Sequence, residues 1–151
     1  MTDHYIRFLV DKNVMKVYHC IIQVIQRGDS MEFVFDNERP IYIQLVEGLE
    51  KTIVNGNLSP GERLPSVREL AASAKVNPNT MQKALGELEN MGLVYTERTN
   101  GKFVTKDEKL IEKHGEKYAN AIAQRYLIDM ENIGYDCKDA ILYLSKIGGK
   151  K

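Results

Sequence analysis

Residues Leu64–Leu88, LPSVRELAASAKVNPNTMQKALGEL, decide how this chain folds. Ser66 and Glu69 form an S-x-x-E capping box behind Pro65, so a helix is predicted to begin at Val67. It is short, with Leu70, Ala71 and Ala74 as its apolar stripe. A second start signal follows at once: Asn77 suits an N-cap, and Pro78 suits the first helical position, where its missing N–H costs nothing. Met81, Ala84, Leu85 and Leu88 then recur at helical spacing and mark a buried face, opposite the polar Asn79, Thr80, Gln82 and Lys83. Two capped helices joined by a turn of about four residues have the layout of a helix-turn-helix, whose second helix enters the major groove.

The flanking sequence completes that unit. Upstream, Tyr42, Leu45, Val46, Leu49 and Ile53 form one helical stripe, with Glu47, Glu50 and Lys51 expected to face outward and Gly56 to close the helix. Leu58-Ser59-Pro60-Gly61 supplies a turn. Downstream, Gly92 ends the second helix of the motif. Two β-rich runs, Val94–Arg98 and Lys102–Thr105, then flank Thr99-Asn100-Gly101, where Asn-Gly predicts a type I′ hairpin. A lone hairpin is unstable, so it is expected to pack through Leu93, Val94 and Phe103 as the wing of a winged helix. The predicted fold is mainly α (α+β), with the winged helix-turn-helix domain spanning residues 31–106.

Residues 107–151 read as a second, helical region. Leu110, Ile111, His114, Tyr118, Ala121, Ile122 and Arg125 follow helical spacing up to Gly134. Asp136 is a candidate cap for a last helix carrying Ile141, Leu142, Leu144 and Ile147. Two helices bury little apolar surface against each other, so these stripes are expected to make a homodimer, with packing against the winged helix as the alternative. Residues 1–30 have no clear pattern. Arg27-Gly28-Asp29-Ser30 back-translates to a purine-rich stretch resembling a ribosome-binding site just before Met31. The extension is therefore either translated from a start codon placed too early, with Met31 the true start, or a genuine segment.

The 151 residues carry 21 basic and 21 acidic side chains. Non-specific DNA affinity comes from Lys and Arg against phosphate, so any DNA-binding charge must be local. Cys20 and Cys137 stand far apart without metal-ligand spacing; Cys137 is expected to be a buried or half-buried thiol. No apolar run is long enough to span a membrane and no signal-peptide pattern is present, which predicts a cytoplasmic protein.

The motif residues also resemble a known family. LSPGERLPSVRELA (58–71) followed by VNPNTMQKALGELENMGL (76–93) is very similar to the N-terminal domain of GntR-family bacterial transcription regulators, over about Pro40 to Val104. The short remainder resembles the YtrA subfamily, whose members carry only a small helical dimerisation segment. The resemblance implies a DNA-binding regulator, with an arginine at the Arg68 position set against DNA. At the wing tip the family pattern is R-G-x-G; here Thr99 replaces the first glycine, and its β-carbon limits close approach to DNA.

Candidate contacts divide into phosphate positioning and base reading. Asn77, Pro78, Asn79 and Thr80 open the recognition helix, whose N-terminal backbone N–H groups (Pro78 contributes none) are aimed at phosphate, with Ser66 at the start of the preceding helix. Gln82 suits adenine, and Lys83 a guanine or a phosphate. Arg68 suits bidentate recognition. In the wing, Arg98, Asn100, Gly101 and Lys102 are candidates for the minor groove; Arg63 and Lys75 are weaker phosphate candidates. Glu87, Glu89 and Glu97 are expected to lie away from the DNA.

No catalytic, metal-binding or cofactor-binding motif is apparent: His114 sits on an apolar stripe and Cys137 has no paired base. The sequence thus predicts a repressor that binds double-stranded DNA as a homodimer on a palindromic operator, not an enzyme. The alternative is a winged helix serving as a protein-interaction module without DNA affinity. The C-terminal region is too short to enclose a ligand pocket alone, so any small-molecule effector would sit at a dimer or domain interface.

Overall fold

The computed structural model describes Phe35 and residues 38–148. Residues 1–30, and with them the question of a start at Met31, lie outside that range, as does Cys20. The described chain forms α1 (Ile41–Val54), α2 (Val67–Ser73), α3 (Pro78–Asn90), β1 (Val94–Glu97), β2 (Gly101–Val104), α4 (Glu108–Asn132) and α5 (Cys137–Gly148). It divides into two compact units between Gly115 and Glu116, within α4.

In the first unit, α1, α2 and α3 enclose a core of Leu45, Leu49 and Ile53 against Leu70, Ala71, Met81, Ala84, Leu85 and Leu88. The local signals act as the sequence implies. Ser66 and Glu69 make both hydrogen bonds of the capping box, at 2.7 and 3.2 Å. The Asn77 side chain accepts from the Asn79 N–H at 2.8 Å. Between them, Lys75 turns the chain at φ +51°, a left-handed conformation that costs a non-glycine residue about 1 kcal/mol.

The wing is an antiparallel pair, Val94↔Val104 through Glu97↔Gly101. Two features differ from the sequence reading. The connection is a three-residue loop, not a type I′ turn: the Asn100 N–H returns to the Glu97 carbonyl, and Gly101 alone takes positive φ, +103°. A type I turn followed by a left-handed glycine suits a three-residue hairpin. Residues 61–64, where the sequence predicts a turn ending at Gly61 and no strand, also line up beside β2. Gly61 and Leu64 donate to the Val104 and Lys102 carbonyls, and Val104 donates back to Glu62. Three backbone segments, rather than two, therefore hold the wing.

Glu50 is a further correction. Expected on the outer face of α1, it is 3% exposed. The reason is His114, whose Nδ1 lies 2.6 Å from a Glu50 carboxylate oxygen. One residue on, a Cβ on Gly115 would meet Val54 Cγ1 at 3.1 Å, so a small residue permits the close approach of α4 to α1. Leu110 and Ile111 pack on the same core. The first turns of α4 thus belong with the winged helix.

The second unit comprises the rest of α4 and α5. Asp136 caps α5 by accepting from the Asp139 N–H, and the Tyr126 hydroxyl donates to the Ala140 carbonyl at 2.9 Å. Met130 and Ala140 are its buried apolar residues, while Ile122, Ile128, Ile133, Ile141, Leu142, Leu144 and Ile147 are exposed. Cys137, expected to be buried or half-buried, is exposed at the first position of α5. No helix among the described residues is long and apolar enough to cross a membrane.

Candidate nucleic-acid interface

With Met81, Ala84, Leu85 and Leu88 committed to the core, α3 turns Asn79, Gln82 and Lys83 to solvent, and Thr80 is half-buried. Arg68, the second residue of α2, is also exposed. No hydrogen bond or ion pair among the described residues occupies the side chains of Arg68, Asn79 or Gln82. The Asn77 and Ser66 side chains, by contrast, are engaged as caps. Glu69 is held below the usual carboxylate range by its contacts with Ser66, hydroxyl first and then backbone N–H, with a smaller effect from the Arg63 charge.

The wing candidates separate. Arg98 is exposed in the loop. Asn100 instead donates to the Glu97 carboxylate at 2.9 Å. The Lys102 ammonium turns toward α3, 2.8 Å from the Glu89 carboxylate and 2.7 Å from the Thr96 hydroxyl. Glu89 is held below the usual carboxylate range by its hydrogen bonding with Lys102 first and with Thr96 second. Gly101 meets the Arg63 guanidinium, whose nitrogens lie 3.7 and 3.8 Å from the position of an added Cβ.

Arg63, a weaker phosphate candidate in the sequence, is exposed at the wing. Its place beside β2 brings it into a cleft of about 730 Å³ between the wing and the start of α2, shared with Ser66, Glu69, Glu97 and Arg98. Glu89 is offset by Lys102, whereas Glu97 lines the cleft itself. Among the described residues, no group of three or more His, Cys, Asp or Glu side chains could hold a metal ion.

The elements α1 through β2 coincide with the match to the model of bacterial regulatory proteins of the gntR family, residues 41–104. Likeness extends past that domain. The Bacillus subtilis HTH-type transcriptional regulator YhcF is 34% identical over 104 residues, covering 69% of this chain and 86% of YhcF. The chain belongs to the GntR family. The B. subtilis HTH-type transcriptional repressor YtrA is 34% identical over 119 residues, 74% of this chain and 91% of YtrA, which places the GntR protein in the YtrA-like subfamily. A GntR-family transcriptional regulator from Listeria monocytogenes has a similar structure, with TM-score 0.68 and 37% identity over 74% of this chain and 98% of that one. A transcriptional regulator from Oenococcus oeni matches with TM-score 0.66 and 28% identity over 76% and 95% of the two chains.

For a GntR regulator the arrangement offers two kinds of contact. Neutral Asn and Gln side chains on α3 suit base edges, and the exposed Arg68, Arg63 and Arg98 suit phosphate or guanine.

Proposed function

We propose that this GntR-family regulator binds double-stranded DNA sequence-specifically and represses transcription by occupying a (pseudo)palindromic operator as a homodimer. The observation that carries the reading is the row of unengaged polar side chains on the first turns of α3, Asn79 and Gln82, with Arg68 exposed on α2. In the fold they need no partner, so their donors and acceptors remain for base edges and phosphates. Arg98 and Arg63 add positive charge at the wing. Local cations of this kind suit a DNA-binding surface on a chain whose formal charge is zero.

The homodimer is assigned to the C-terminal helices. On α5, Ile141, Leu142, Leu144 and Ile147 are between 45% and 66% exposed. A helix apolar on so much of its circumference calls for a partner, and a twofold pair places two recognition helices on successive half-sites. Repression follows the relative YtrA, named as a repressor, and the site of action is the cytoplasm. No effector is assigned.

The test is duplex binding by the full chain across a salt series, followed by selection of bound fragments from the source genome. A steep loss of affinity with salt and recovery of sites with inverted symmetry are expected. A protein with no duplex affinity at low salt would instead be an interaction module. A solution mass of one chain at micromolar concentration would remove the dimer.

A further inference from the structure

Lys83 differs from Asn79 and Gln82 in having a neighbour on another helix. Its ammonium lies over the Tyr42 ring of α1, 3.7 Å from the ring centroid. Tyr42 is half-buried against the core, so the ring is fixed by packing, while Lys83 is exposed. The contrast with Lys102 is in the chemistry of the partner. A carboxylate offsets the Lys102 charge, whereas an aromatic face leaves the charge of Lys83 whole. The ring takes one side of the ammonium; its N–H donors remain able to meet an oxygen.

We propose that Tyr42 is a positioning residue for DNA binding: its ring holds the uncompensated Lys83 ammonium beside the recognition helix, where it meets a phosphate of the duplex. A lysine left to sample its rotamers must surrender that freedom on binding, and a stacked one has surrendered much of it already. The inference rests on the DNA-binding reading above.

A double-mutant cycle on the full chain tests it, with a random-sequence DNA duplex as probe and affinity followed across a salt series. Tyr42→Leu should weaken binding by about two- to fivefold, the range set by a cation–π contact at an exposed site. Tyr42→Phe, which keeps the ring, should restore most of that loss. Lys83→Met should lower the salt slope by about one phosphate contact. Added to Lys83→Met, Tyr42→Leu should cost nothing more. Equal losses from Tyr42→Leu with and without Lys83 would make Tyr42 a purely structural residue and overturn the proposal, as would an unchanged salt slope in Lys83→Met. Wild-type protein without salt-dependent duplex affinity would remove the DNA-binding reading, and this inference with it. A readout that needs no variant is the Lys83 ε-methylene proton resonance of the free protein. The ring should move it upfield, and an unshifted resonance overturns the proposal even if Tyr42→Leu does not fold.

Discussion

The junction of α1 with α4 and the exposed tip of α3 use polar side chains in opposite ways. At the junction, the buried Glu50 and the half-buried His114 are matched to each other at 2.6 Å. At the tip, Asn79 and Gln82 stand in solvent, matched to nothing in the fold. A buried polar group without a partner is costly, so the first arrangement has to be complete within the chain. The second costs the free protein little and is completed only by a ligand. Substitutions at the junction should therefore be read in stability, and those around the tip in affinity.

The largest expected effect is at the junction. His114→Ala removes the imidazole from the carboxylate of Glu50, a side chain that is 4% exposed, which should destabilise the protein by about 3 kcal/mol. Denaturant unfolding would show it as a lower midpoint at unchanged slope. Duplex affinity per folded molecule should be preserved. A loss of under about 1 kcal/mol would mean that the pair is replaceable by water and that the contrast is false. At the DNA-facing side, Arg68→Ala should weaken binding to a selected operator by about 1–3 kcal/mol. Its unfolding midpoint should stay within about 0.5 kcal/mol of wild type. Wild-type affinity in a titration would demote Arg68 to an ordinary surface charge.

What the sequence made legible follows the same division. The capping box of Ser66 and Glu69, the Asn77 cap and the Pro78 start are all written within four residues, and the structure contains each of them. The residues exposed on α3 were readable because burial of Met81, Ala84, Leu85 and Leu88 leaves only one face for them. Glu50 was not readable from charge alone, since its partner lies 64 residues away. A faint signal did exist: Val46, Glu50 and Ile53 share helical spacing, so Glu50 continues an apolar row. The strand-like pairing of residues 61–64 was hidden by the strong turn chemistry of Pro60-Gly61. Lys102 looked like a wing cation because strand alternation does not reveal a carboxylate on a neighbouring helix.

A smaller effect should come from Gly86, in the interior of α3. Beyond its chain neighbours and the backbone of its own helix, no heavy atom lies within 4 Å of a Cβ built there. Gly86→Ala should therefore stabilise the protein by about 0.5–1 kcal/mol through helix propensity alone. Measured duplex affinity sharpens the comparison. No change would confine the DNA-facing surface to the first turns of α3, whereas a loss would show that the duplex backbone approaches the later turns closely.

The smallest effect, and the finest test of the division, belongs to Lys102. Its side chain is 14% exposed, and its ammonium is paired with the carboxylate of Glu89, a side chain that is 40% exposed. Solvent screening limits such a pair to under about 1 kcal/mol. The sign with pH is nevertheless definite. Because Lys102 and Thr96 lower the Glu89 pKa in the folded protein, the contribution is present above the ordinary value of 4.5 and is lost as pH falls through the lowered one. Wild-type stability should thus decline more on acidification than that of Lys102→Met, and the two curves should converge at low pH. The salt slope of duplex binding should hardly change in the variant, since this ammonium is already engaged. A slope reduced by a full phosphate contact would show that the wing releases Lys102 to DNA, so that one side chain serves the fold in the free protein and the ligand in the complex.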